Sequence, residues 1–176
     1  MFIDTRVVTV FDAKGIAGFR IEWVFDDMFT AMIIEDFDAD YDLLFSSSEI
    51  KDIEGNAFSN LRNFHYFSYV SWDGGEYDGK RVSDFSASIQ SEGLLVYRFF
   101  IPCRITVGKE NKTVKIWIYD DSYYCDVGFA RERPVAFEND EGFRASYEIG
   151  QDKDITYYYG QISPQVLKLT VGMKNG

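Results

Sequence analysis

The 176-residue sequence predicts an α+β fold that is mainly β: an antiparallel β-sandwich-like framework with a helix-loop-helix inserted near its start. Three observations carry that reading. Short segments with period-two hydrophobicity recur along most of the chain, as half-buried strands require. The chain holds 16 Phe, 12 Tyr and 3 Trp against three prolines, and flat rings pack well on a pleated surface. A single stretch, residues 26–63, changes to helical periodicity.

The first two elements read as a hairpin. Phe19, Ile21, Trp23 and Phe25 alternate with Gly18, Arg20, Glu22 and Val24, and Asp12-Ala13-Lys14-Gly15 separates this segment from Phe2–Phe11. Met28, Phe29, Met32, Ile33 and Phe37 then recur at helical spacing, as do Ile50, Ile53, Ala57 and Leu61, so two amphipathic helices flank an acidic loop. Strand texture returns over Phe64–Trp72, and Asp73-Gly74-Gly75 with Asp78-Gly79 supplies residues suited to a hairpin connection. Further strands follow around Phe85, Ala87 and Ile89, then Leu95, Tyr97 and Phe99, then Val114, Ile116 and Ile118, and finally Leu167, Leu169 and Val171. Turn signals between many short strands point to an antiparallel sandwich. Residues 1–176 are expected to form one domain, because an insertion of this size makes a poor independent core.

The formal charge is −11, which disfavours a nucleic-acid backbone or an anionic membrane as partner. No apolar run is long enough to span a membrane, so direct insertion is not expected, and the opening Met1-Phe2-Ile3-Asp4-Thr5-Arg6 lacks a signal-peptide pattern. Cys103 and Cys125 exclude a cysteine zinc site; they read either as one disulfide or as two small buried thiols.

The acidity is local. Residues 26–54 carry −9 and the rest of the chain only −2. Carboxylates crowded so closely repel one another, and a bound cation is the simplest compensation. From Asp38, the run DADYDLLFSSSE places carboxylates at loop positions one, three, five and twelve, with Ser46 at nine and Phe45 at eight, the ligand order of an EF-hand. Side-chain oxygens of Asp38, Asp40 and Asp42, the Leu44 carbonyl, Ser46 and both oxygens of Glu49 would then surround one Ca²⁺. Position six is Leu43 where the EF-hand turn uses glycine, and a left-handed Cβ costs on the order of 1–2 kcal/mol, so binding about tenfold weaker is expected, in the weak class with Kd of roughly 10⁻⁴ to 10⁻³ M. The all-oxygen donor set disfavours Ni²⁺, Cu²⁺ and Zn²⁺. The other reading is a solvated acidic turn in which Glu49 closes a capping box with Ser46; capping and ion binding are compatible.

Enzymatic chemistry has little support. His65 is the only histidine, no G-x-S-x-G elbow or Gly-rich phosphate loop is present, and no carboxylate pair is singled out for glycoside hydrolysis. A ligand-contact edge could form from Asp120, Asp121, Tyr123 and Tyr124 together with Tyr157-Tyr158-Tyr159, though tyrosines at sheet rims also serve packing alone.

Several stretches together resemble a family of uncharacterised periplasmic components of ABC-type transport systems. They are Phe2-Ile3-Asp4-Thr5, Glu22-Trp23-Val24-Phe25-Asp26 with Met28-Phe29, Glu35-Asp36-Phe37-Asp38, Ala57-Phe58-Ser59-Asn60-Leu61, Asp84-Phe85-Ser86-Ala87-Ser88, Tyr97-Arg98-Phe99-Phe100 and Tyr119-Asp120-Asp121-Ser122-Tyr123-Tyr124. The resemblance implies a secreted periplasmic protein, its signal peptide already removed, whose genes often lie near nickel or cobalt transporters. A membrane transporter is the partner so implied, and Ni²⁺ or Co²⁺ enters by that context alone. In similar proteins a H-P-H segment precedes the phenylalanine matching Phe2; here Met1 occupies that place. Two functions follow as expectations: a periplasmic accessory or binding component of a metal transport system carrying one calcium site, or a calcium-stabilised interaction module with no transport role.

Overall fold

The computed structural model describes residues 1–77 and 79–174; Asp78, expected in a hairpin connection, lies outside the described residues. Strands β1 (Phe2–Asp12) and β2 (Gly15–Phe25) form the expected hairpin, with inward residues alternating along both. Helix α1 (Asp27–Phe37) follows at once, and α2 (Ser47–Ile53) lies beyond the acidic loop. A π-helical turn (Glu54–Phe58) and a 3-10 segment (Ser59–Phe67) lead into β3 (Ser68–Trp72) and β4 (Gly75–Glu76). Then come β5 (Ser83–Ile89), β6 (Leu95–Thr106), β7 (Lys112–Ile118), β8 (Asp126–Phe129), β9 (Val135–Glu138), β10 (Phe143–Gln151) and β11 (Gln165–Met173).

These strands make two sheets packed as a sandwich. The first runs β5-β6-β2-β1-β8, with β9 also on β1; the second runs β10-β11-β7-β3-β4. The second is antiparallel throughout. The first is mixed: β8 pairs with the first half of β1 and β9 with its second half, both parallel. The antiparallel sandwich-like framework expected from the sequence is present, with parallel pairing at β8 and β9; these two four-residue strands, separated by a loop, are too short to show an alternating pattern or a hairpin signal.

One apolar core joins the layers. Val7, Phe11, Ile21 and Phe99 from the first sheet and Val70, Ile116, Leu169 and Val171 from the second belong to the same buried cluster, and the Phe11 and Phe143 rings stack 4.9 Å apart across it. The helical segment covers the end of the first sheet where β1 begins. Phe58 is buried against Trp23, Tyr97 and Phe99; removing such a ring costs about 3–5 kcal/mol. Asp26 caps α1 by accepting from the Phe29 N–H at 2.8 Å and also holds the Phe2 N–H at 2.7 Å, so one carboxylate fixes the helix start to the beginning of β1. The Leu95 N–H donates to buried Thr30 at 3.0 Å, a second tie of α1 to the first sheet, this one through β6.

The helical insertion departs from its periodicity in three places. Phe29, Thr30, Ile33 and Phe37 turn inward, whereas Met28 and Met32 are exposed. The second helix does not continue evenly to Leu61: Gly55 and Asn56, both weak helix formers, occupy the π-helical turn. The strand expected from Phe64 starts only at Ser68, since His65, Tyr66 and Phe67 have φ of 54°, 49° and 50°. Such angles cannot continue a strand.

Candidate metal centre

The loop between α1 and α2 is organised by its own carboxylates. Asp38 ends α1, donating its N–H to the Ile34 carbonyl, and the residue is 1% exposed. Its Oδ2 accepts from the Leu43 N–H at 3.0 Å, linking loop positions one and six. That bond holds Leu43 in the left-handed region, φ 62°, the conformation for which an EF-hand uses glycine. Asp42 Oδ1 accepts from the Leu44 N–H at 2.7 Å, so the fifth position folds onto the seventh.

Asp38, Asp40 and Asp42 bring carboxylate oxygens within 4.8 Å of one another, and this group could hold a metal ion. Asp40 and Asp42 are exposed and Asp38 is buried. Asp38 Oδ1 is buried with no protein partner. A buried carboxylate oxygen without a donor is costly, and a cation supplies the missing partner. The charge of Asp42 beside it, with a smaller push from burial, raises the Asp40 carboxyl above its ordinary value; Glu49 and Asp38 add to the effect.

The remaining expected ligands are arranged differently. Ser46 caps α2, and Glu49 closes the capping box by accepting from the Ser46 N–H at 2.8 Å and its hydroxyl at 2.7 Å. The other Glu49 oxygen accepts from the Ala39 N–H at 2.9 Å, so this carboxylate bridges the two ends of the loop. The Ser46 hydroxyl, then the Ala39 and Ser46 amides, hold the Glu49 carboxyl below its ordinary value. Glu49 is placed beside the three aspartates rather than among them, and Leu44 is exposed on the same loop.

The second candidate edge also assembles, with changed roles. Asp120 is buried and fully engaged: Oδ1 accepts from the Ser122 N–H and hydroxyl, Oδ2 from the Cys125 N–H. It shapes the turn that presents Tyr123. The Tyr123 ring lies 6.2 Å from Tyr157 and 5.0 Å from Tyr158, and Tyr158 lies 5.4 Å from Tyr159, which is 92% exposed. Tyr119 extends the row by stacking on Tyr69 at 4.7 Å and contacting Tyr157 at 4.8 Å. The link to Tyr69 was hidden in the sequence because strand pairing creates it. Tyr124 and Asp121 are exposed. Cys103 and Cys125 are both buried and unpaired, and burial pushes each thiol up to about 12. His65 is exposed and lies against the Tyr69 ring.

A sandwich with a carboxylate-bearing helix-loop-helix defines a class by architecture, and comparison with known proteins supplies the family. Residues 1–155 match the model of the family described as Protein of unknown function (DUF1007), and the chain belongs to it. It is also similar to an uncharacterised 15.5 kDa protein encoded in the trpE 3′ region of Spirochaeta aurantia, with 25% identity over 138 residues, 78% of this chain and 97% of that protein. No solved structure matches the chain. The matched region includes the whole acidic loop. Among the described residues no helix is long and apolar enough to cross a membrane.

Proposed function

We propose that this protein is a periplasmic accessory or binding component of a metal transport system, and that its helix-loop-helix binds one Ca²⁺ that fixes α1 against α2. The observation that carries the calcium assignment is the convergence of Asp38, Asp40 and Asp42 around the unpartnered buried oxygen of Asp38. Oxygen donors alone favour a hard cation, and the Asp38–Leu43 hydrogen bond reproduces the turn of an EF-hand loop. The Leu44 carbonyl, Ser46 and Glu49 are proposed to complete the ligand set, Glu49 exchanging its amide and hydroxyl partners for the ion. The compartment and the transporter partner rest on the family resemblance of the sequence.

The test is thermal denaturation with Ca²⁺, Mg²⁺, Ni²⁺ or Co²⁺ against chelator. With Kd of roughly 10⁻⁴ to 10⁻³ M, calcium at about 10 mM stabilises the folded state by about 1.4–2.7 kcal/mol. For a chain of this size the midpoint then rises by roughly 3–10 °C. Ni²⁺ and Co²⁺ give little specific shift. Equal midpoints in calcium and in chelator contradict the site.

The exposed row Tyr123, Tyr158 and Tyr159 favours a second reading, a calcium-stabilised module that recruits another protein. Disruption of the gene separates the two: altered cellular tolerance of nickel or cobalt supports the transport role, and unchanged metal handling supports the interaction role.

A further inference from the structure

Each sheet has two edges, and three of these four are short or broken. β4 has two residues, and β8 and β9 have four each with a loop between them. β5 is longer, but its pairing with β6 slips between Ser83 and Ser86, where Asp84 has a φ of 55°. Short lengths and bulges of this kind keep a sheet edge from pairing with another chain. The fourth edge, β10, has neither protection. It runs nine residues without a proline, pairs with β11 with no register shift, and meets no strand on its other side among the described residues. Arg144, Ser146 and Glu148 are exposed on its outer face. Phe143, Ala145 and Ile149 pack toward the core, and Tyr147 shares their face but is 43% exposed.

Charges on an edge ordinarily discourage pairing. Those of β10 are opposite in sign and stand symmetrically, Arg144 two residues before Ser146 and Glu148 two residues after it. Antiparallel pairing of β10 with β10 of a second copy, centred on Ser146, therefore sets Arg144 of each copy opposite Glu148 of the other. On the core-facing side the same register sets Phe143 opposite Ile149 and Ala145 opposite Tyr147, so the half-exposed ring gains a small apolar neighbour. Moving the centre to Ala145 or to Tyr147 places both charges opposite serine or glycine instead. Among the described residues Arg144 has no ion-pair partner in its own chain, and Glu148 has only Lys168, 3.6 Å away at an exposed site. The charges thus fit one self-pairing register and leave the others unrewarded.

We propose that β10 is an interface for a second copy of this chain, pairing antiparallel with its own counterpart about a twofold axis at Ser146 and joining two five-stranded sheets into one of ten. This interface shares no residue with the calcium loop and stands or falls independently of it. A ladder running only from Phe143 to Ile149 is small for a protein interface, so the dimer is weak and forms as the concentration rises from about 10⁻⁵ to 10⁻³ M.

Sedimentation velocity of the full chain over that range measures the association. Arg144→Glu alone, or Glu148→Arg alone, sets like charges opposite each other on both sides of the axis and is expected to weaken the dimer about tenfold. The double swap restores opposite pairs and is expected to return to within about threefold of the original. Ser146→Cys reads the register, because the two copies bring this position about 4.5–5.5 Å from itself, close to disulfide reach. Gly150→Cys, at an exposed position with room for a side chain, places its two thiols about 26 Å apart and serves as the control. Cys103 and Cys125 are buried, so oxidation is expected to link Ser146→Cys into a dimer at least about tenfold faster than Gly150→Cys. A chain that stays monomeric at about 10⁻³ M, a double charge swap that associates no better than either single one, or cross-linking no faster at position 146 than at 150 would each overturn the proposal.

Discussion

Leu43 offers a test whose sign depends on backbone geometry alone. It is 50% exposed and sits at φ 62°, where a Cβ crowds the following carbonyl at a cost of about 1–2 kcal/mol. L43A and L43G remove the same packing, so comparing them isolates the backbone. L43G relieves the crowding but adds about 0.5–1 kcal/mol of chain entropy to be lost on folding. L43G is therefore expected to be more stable than L43A by about 0.5–1 kcal/mol, a midpoint difference of roughly 1–4 °C for a chain of this size. Chemical and thermal denaturation in chelator measure it. An extended Leu43 gives the opposite order, L43G being less stable by about 0.5–1 kcal/mol, and that result refutes the left-handed turn.

Three other outcomes follow from the same structure. Asp40 is raised and Glu49 lowered, with opposite consequences for stability. Without added metal, the Asp40 contribution opposes folding above its folded pKa and fades as pH falls, whereas the Glu49 contribution is present above its unfolded pKa and is lost as pH falls through its folded value. Calcium needs Asp40 ionised, so the calcium-induced rise in midpoint should start to fade on acidification above the ordinary aspartate range; fading only within that range contradicts the crowding. Ser46→Ala should cost about 1 kcal/mol in chelator by loss of the α2 cap, whereas Glu49→Gln, left with one acceptor oxygen for the Ser46 and Ala39 amides, should lower the chelator midpoint and, beyond that, lose most of the calcium response. Cys103 and Cys125 should resist an aromatic disulfide reagent in the native state at neutral pH and both react in denaturant; rapid native labelling of either contradicts their burial.

The hairpin, the inward alternation of Trp23 and Phe25, and the strands centred on Tyr97, Ile116 and Leu169 were legible because each has a local period. The acidic loop was legible for a related reason: Asp38, Asp40 and Asp42 lie within five residues, so chain connectivity brings them together. What local pattern could not supply was long-range pairing. The parallel strands β8 and β9 find β1 from more than a hundred residues away, and Tyr69 meets Tyr119 only through the β3–β7 ladder. The late start of β3 was hidden because the aromatic run Phe64–Phe67 suits a strand by composition, whereas His65, Tyr66 and Phe67 are left-handed, with Tyr66 and Phe67 buried in the core.

The Leu43 backbone amide reports most directly on the calcium loop, because it donates to the carboxylate whose other oxygen has no protein partner. In a calcium titration followed by amide NMR, this resonance should move along a single saturable curve with Kd of roughly 10⁻⁴ to 10⁻³ M, and Asp38→Asn should abolish the movement. A Leu43 amide that stays in place at about 10 mM calcium, or that shifts equally in Asp38→Asn, contradicts a calcium site in this loop.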